Sequence, residues 1–274
     1  MGEAVRVSRD IFYRSPAGLR AQGDLFLPQE TGGSPVLLIH GGGWNALSKE
    51  SLEPIALWLA EHGRAVFNVN YRLLDDAPWP ACRDDCMAAG QFMLRGGLSR
   101  NGLPRPERIL IAGASAGGHL AMTAGLRLPA ERVEAIVSLA GPSMMHFPGG
   151  SSGGLDSPRF FRTFFGQQTP IPREQFAAAS PVDLVRRGAP ALYCIHSRRD
   201  QLVPPLHSEQ AAAAWRGVGS RANVHFFNGP GDSHGLWDSD DRASRRPIVA
   251  VQQALADILA DLARENIQTP EKVA

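Results

Sequence analysis

Short runs of consecutive apolar residues recur along the chain, with amphipathic stretches between them. Residues 35–40 (PVLLIH), 64–70 (RAVFNVN), 108–113 (RILIAG), 133–141 (VEAIVSLAG), 191–196 (ALYCIH) and 223–227 (NVHFF) read as strands. Continuous apolar runs of this length mark strands covered on both faces. The stretches 51–62, 82–95, 116–127, 206–217 and 246–264 read as helices. Gly63 and the pair Gly96-Gly97 supply stop signals after the first two. Residues 5–13 and 19–27 read as two further strands that open the sheet, an antiparallel pair being one arrangement open to them. Strands alternating with helices imply an α/β fold: a mostly parallel sheet of about eight strands with helices on both faces.

The rhythm breaks over residues 142–180, which carry FPGGSSGG, several prolines and the cluster Phe160, Phe161, Phe164 and Phe165. The pairs 160/164 and 161/165 are spaced i,i+4, so a short helix would gather them on one face. That face either packs on the domain or lines an acyl or aryl pocket. The segment reads as a cap-like insertion within one domain spanning 1–274, and the tail from Ile267 as polar and frayed.

In parallel α/β sheets ligands bind at the carboxyl ends of the strands, and the chemistry-bearing residues fall there. Gly113-Ala114-Ser115-Ala116-Gly117 is a G-x-S-x-G match between an apolar strand and a helix-forming run. The tight turn this demands forces close backbone contacts, which the flanking glycines relieve. Ser115 is the candidate nucleophile, and a serine hydroxyl needs a base to take its proton as it attacks. His40-Gly41-Gly42-Gly43-Trp44 follows the strand 35–40. The N–H groups of Gly42, Gly43 and Ala116 are the candidate oxyanion donors. His40 reads as ordering this loop by hydrogen bonds. Trp44 either lines the pocket or packs.

Asp200 follows the strand 191–196, and His234 sits in a glycine-rich loop after 223–227. The order Ser115, Asp200, His234 fits a nucleophile–acid–base triad. His234 would take the Ser115 proton and return it to the leaving group, and Asp200 would orient the imidazole. Asp232 is a competing acid. Asp183 reads as a cap or packing residue, His119, His196 and His225 as core or structural residues, and His207 as the start of a helix. His146, Phe160, Phe164 and Trp44 are candidate substrate contacts.

Composition changes the picture mainly by exclusion. The formal net charge is +1, from 28 basic and 27 acidic residues, and no block of one sign occurs. Neither nucleic acid nor an anionic membrane surface is therefore an expected partner. The three cysteines, Cys82, Cys86 and Cys194, fit neither a disulfide framework nor a zinc site. No metal or organic cofactor is expected. The start MGEAVRVSRD holds no apolar stretch of signal-peptide type, and no window reaches membrane-spanning length. A cytoplasmic location is expected, and a homo-oligomer is left open.

HGGGW, NYRL (70–73), GASAGGHLA and the pair HSRRDQLVP and GDSHG resemble the hormone-sensitive-lipase-like esterases. The segments APWPACRDDCMAA (77–89) and FFG…AASPVDL (164–184) are similar to those of small carbohydrate-ester (acetyl or feruloyl) esterases and arylformamidases. The resemblance runs over residues 10 to 260 and implies the α/β-hydrolase fold. It also implies Ser115 as nucleophile, Asp200 and His234 as acid and base, and Gly42, Gly43 and Ala116 as oxyanion donors. Ser197 stands where many relatives have a glycine. The function expected is a carboxylic-ester hydrolase for short-chain or small aromatic esters. An arylformamidase acting on a formyl amide and a non-catalytic ligand-binding protein are the alternatives.

Overall fold

The computed structural model describes residues 5–14, 20–145, 154–167, 170–228, 234 and 248–268, the side chains of the last helix up to 265. Among them, one eight-stranded sheet is built from β1 (Arg6–Phe12), β2 (Gln22–Leu27), β3 (Val36–Ile39), β4 (Val66–Val69), β5 (Ile109–Ala114), β6 (Val133–Leu139), β7 (Ala191–Ser197) and β8 (Ala222–Phe227). The spatial order is β1-β2-β4-β3-β5-β6-β7-β8. β1 pairs antiparallel with β2, and β2 antiparallel with β4; every other pairing is parallel. The antiparallel opening pair was one of the arrangements the sequence allowed.

Parallel strands need crossovers, and the amphipathic stretches supply them. The helices are α1 (Glu53–Glu61), α2 (Ala81–Leu94), α3 (Ala116–Gly125), α4 (Pro158–Phe165), α5 (Arg173–Ala179), α6 (Pro181–Leu184), α7 (Leu206–Gly217) and α8 (Val249–Gln268). Side chains alternate across each strand, so β3 sends Val36 and Leu38 to one core and Leu37 and Ile39 to the other. The first core is closed by α1 and α8, through Ile55, Leu59, Leu255 and Ile258. The second is closed by α2, α3 and α7, through Cys86, Met93, Leu120 and Trp215. Both faces are thus covered, which is why the inner strands read as unbroken apolar runs.

Among the described residues, three short helices occupy the stretch between β6 and β7. α4 starts where Ser157 Oγ accepts from Phe160 N at 3.2 Å with Pro158 behind it, and ends at Gly166, whose φ is +67°. α5 and α6 were not foreseen. The last helix also runs further than expected, to Gln268 rather than 264. No glycine or proline interrupts the chain before Pro270, so nothing stops it.

One buried carboxylate ties the segment after β4 to α2. Asp85 has no exposed surface. Arg72 grips it from Nε at 2.8 Å, Nη2 at 2.8 Å and the backbone N–H at 3.0 Å. Arg14 adds a contact at 2.7 Å. Arg72→Met keeps the stem but leaves the carboxylate under-compensated, and should cost about 2–3 kcal/mol of stability. Asp85→Asn should cost less, because both guanidinium groups are about a third exposed and can turn to water. Urea unfolding of the two variants checks that order.

Candidate active site

The site begins where two neighbouring strands end. β3 and β5 run parallel in the register Ile39↔Gly113, so the residues that follow each strand emerge side by side. Chain order moves outward in opposite directions from this pair, which makes it a switch point of the sheet. Ser115 is the single residue between β5 and α3, at φ +54° and ψ −121°. A non-glycine residue in that region carries about 1–3 kcal/mol of strain. The turn closes only because Gly113 and Gly117, two residues to either side of Ser115, lack side chains. A Cβ at Gly113 would lie 2.2 Å from Gly117 O, and one at Gly117 would lie 2.1 Å from Ile39 O. Gly41 presses on the same turn, since its Cβ would meet Ala114 O at 2.9 Å and Ser115 Cβ at 3.2 Å.

Ser115 Oγ lies 3.0 Å from His234 Nε2, and His234 Nδ1 lies 2.7 Å from Asp200 Oδ2. Three strand ends, those of β5, β7 and β8, thus contribute one unbroken hydrogen-bond chain. An imidazole held between a hydroxyl and a carboxylate can take the hydroxyl proton through one nitrogen while the other keeps its own. The carboxylate is 4% exposed. Burial by itself would raise its affinity for a proton. Hydrogen bonds from His196, His234 and the Val203 N–H outweigh that and bring the Asp200 carboxyl down to about 2. Leu202 N and Val203 N both donate to Oδ1 at 3.0 Å, and His196 Nε2 sits 3.2 Å from Oδ2. His196 is in the core, as expected of a strand residue. Its contact with the acid was not legible, because a histidine at the end of a buried strand carries no mark of its neighbour.

The Gly-rich loop is braced from its own first residue. His40 Nδ1 donates to Gly41 O at 2.7 Å, and its Nε2 faces Arg20 Nη2 at 3.2 Å. The His40 ring stacks on Tyr71 at 4.2 Å between centroids. Tyr71 Oη in turn donates to His40 O and Gly41 O at 3.0 and 3.2 Å. Burial and the nearby Arg20 cation hold His40 neutral, with its pKa lowered to about 3. Arg20 and Tyr71 were not assigned from the sequence, although Tyr71 lies in the NYRL segment that carried the resemblance. Gly42, Gly43 and Trp44 follow at φ +102°, +57° and +60°. Among the described residues, nothing accepts from the N–H of Gly42 or Gly43. Ala116 opens α3, so its N–H has no partner within the helix.

Trp44 and Phe164 have no exposed surface, so neither is within reach of a substrate in this conformation. Both belong to an aromatic layer with Trp79, His119 and the partly buried Phe160. Of the expected contacts among the described residues, Phe160 alone keeps a partly open face. His146 and the competing acid Asp232 lie outside the described residues. Asp183 is exposed on α6, away from the acid position. His207 accepts from Ser143 N at 3.2 Å. Among the described residues no cluster of His, Cys, Asp and Glu could hold a metal, and no helix is long and apolar enough to cross a membrane.

Two of the buried imidazoles, His40 and His119, make stability depend on pH. Burial lowers His119 to about 4, as it lowers His40 to about 3. An unfolded chain protonates both below roughly pH 6.5, whereas the folded chain does not. The folded state should therefore lose about 1.4 kcal/mol per pH unit for each ring as the pH falls from about 6.5 toward 4. Urea midpoints at pH 7, 6 and 5 measure this. His119→Gln should remove one ring's share of the slope.

The BD-FAE family profile matches residues 24–215, which include the Gly-rich loop, Ser115 and Asp200. Among curated proteins the chain is similar to the probable carboxylic ester hydrolase LipM of Mycobacterium tuberculosis. The two are 28% identical over 243 residues, which is 84% of this chain and 56% of LipM. The chain thus spans little more than half the length of that relative. Among solved structures it superposes on a truncated carbohydrate esterase from gut microbiota. There the TM-score is 0.77 and the identity 22%, over 96% of this chain and 100% of the other. It also superposes on the propionate-bound esterase Est2 of Thermogutta terrifontis, with a TM-score of 0.71 and 22% identity over 98% and 97% of the two chains. The eight-stranded, mostly parallel sheet with helices on both faces is accordingly the α/β-hydrolase fold. With more than half of its length matched, the chain belongs to the BD-FAE family.

Proposed function

We propose that the protein is a serine carboxylic-ester hydrolase acting on short-chain acyl or small aromatic esters through an acyl-enzyme. The observation that carries this reading is the hydrogen-bond chain Ser115–His234–Asp200 beside the N–H groups of Gly42 and Gly43, which have no acceptor among the described residues. The names of LipM and of the superposed esterases point the same way.

In this reading Ser115 Oγ attacks the ester carbonyl carbon as its proton passes to His234 Nε2. The carbonyl oxygen becomes an oxyanion and is received by the N–H groups of Gly42, Gly43 and Ala116. Collapse of the tetrahedral species breaks the bond to the alcohol, which leaves with the proton from His234. Water then attacks the acyl group through the same base and frees the acid. Asp200, ionised well below neutral pH, keeps the imidazole in the tautomer that accepts at Nε2.

The insertion over 142–180 is the cap of this site, within a single domain. Its α4 backs onto Trp44, the residue that follows the last donor. A filled aromatic layer at that point favours small acyl groups, in keeping with the propionate in the Est2 structure. The substrate is a small molecule. Three free, buried thiols suit a cytoplasmic setting.

A p-nitrophenyl ester series from acetate to octanoate tests the reading, with Ser115→Ala as the blank. Turnover should peak at the short chains, and the variant should lose about four to six orders of magnitude in kcat. Asp200→Asn should lower kcat by about 10⁴. A folded wild type that turns over no ester but cleaves an aryl formamide would replace the esterase with a formamidase. One that cleaves neither would leave a binding role.

A further inference from the structure

His119 lies one turn beyond Ser115 on α3 and is fully buried. Its two ring nitrogens meet partners of opposite kind. Trp44 Nε1 approaches Nδ1 at 3.2 Å, and Ala179 O approaches Nε2 at 2.7 Å. An indole N–H can only donate and a backbone carbonyl can only accept. The ring is therefore neutral, with its proton on Nε2 and a lone pair at Nδ1. Burial disfavours the doubly protonated form, in which two N–H groups would face each other across the Trp44 contact.

Trp44 is the residue that needs such an anchor. It sits at φ +60°, a conformation that side chains with a Cβ adopt at a cost, and it directly follows Gly42 and Gly43. Its backbone O accepts from Leu74 N at 2.9 Å, and Gly42 O accepts from Asn45 N and Ala46 N. The indole is enclosed by His119, Phe160 and Phe164. Ala179 ends α5 and precedes Ser180, whose hydroxyl accepts from Met145 N at 2.9 Å. One imidazole thus joins the nucleophile helix, the Gly-rich loop and the insertion.

We propose that His119 is a positioning residue for this reaction: through the Trp44 indole it fixes the backbone of Gly42 and Gly43 at the place where the oxyanion forms. It touches no reacting atom. The inference deepens the esterase reading, on which it rests, and names a determinant of transition-state stabilisation outside the Ser115–His234–Asp200 chain.

The experiment compares His119→Leu, which removes both hydrogen bonds, with His119→Gln, whose amide can accept from Trp44 and donate to Ala179 O. Trp44→Phe removes the indole N–H and keeps an aromatic ring. On p-nitrophenyl acetate, His119→Leu should lower kcat roughly tenfold to a hundredfold with KM nearly unchanged. A phenylboronic acid, whose tetrahedral serine adduct carries the anionic oxygen, should bind more weakly by a similar factor. His119→Gln should recover most of both losses. The double variant His119→Leu with Trp44→Phe should be no worse than the poorer single one. A folded His119→Leu with wild-type kcat, a change in KM alone, or a glutamine no better than leucine would overturn the proposal. Nitrogen-15 NMR of the wild type reads the tautomer directly and requires no turnover. A His119 protonated at Nδ1 overturns the assignment, whereas an enzyme inactive on every ester sinks the esterase reading, and with it the oxyanion role, while the tautomer still stands.

Discussion

Backbone lies directly on backbone where β3 and β5 end, and the rest of the site is arranged around that contact. A side chain at Gly117 would run into Ile39 O, one at Gly113 into Gly117 O, and one at Gly41 into Ala114 O. With those three positions bare, the Ser115 turn and the Gly-rich loop sit against each other with nothing between them. The parallel register of β3 and β5 then decides which residues meet. A hydroxyl on a strained turn and a row of unused N–H groups come together because two neighbouring strands stop at the same level. The strain at Ser115 is held by its N–H, which donates to Leu139 O at 2.7 Å, and by the close contact with the Gly-rich loop.

Around this contact the protein separates two kinds of polar burial. His40 and His119 are inside the molecule as neutral rings, each with both nitrogens engaged. Their cost is that of a satisfied hydrogen-bonding group, which is small. Asp200 is inside as a charge, which is tolerated only because donors surround it. The low dielectric that keeps the two rings neutral also strengthens each donor's hold on the carboxylate. A single burial environment therefore yields opposite outcomes, according to whether each group is offered donors or acceptors.

The strands were legible because a sheet covered on both faces leaves continuous apolar runs, and the chain order of Ser115, Asp200 and His234 followed from which strand each succeeds. The short helices α5 and α6 were not. A helix of seven or four residues has little stability of its own and forms where packing holds it, which a local pattern does not encode. Trp44 was left open between pocket and core for a related reason. Nothing in HGGGW states which way the indole turns; its direction is set by a histidine 75 positions away. The bracing of His40 by Arg20 and Tyr71 was hidden likewise, since the three belong to different strand ends. His196 gave no sign of its second role, because one that also contacts the acid looks the same in sequence as one that merely packs.

The donors around Asp200 have a consequence for assembly. Among the described residues, three of its partners, His196 Nε2, Leu202 N and Val203 N, come from β7 and the few residues after it, and only His234 comes from beyond β8. The carboxylate is thus held by donors of its own loop, like an ion in a socket, independently of the imidazole. His234 therefore meets a carboxylate whose orientation those donors fix, so its own bond to Oδ2 does not also have to align the acid. Little dipolar rearrangement remains to be done around the acid when positive charge appears on that ring.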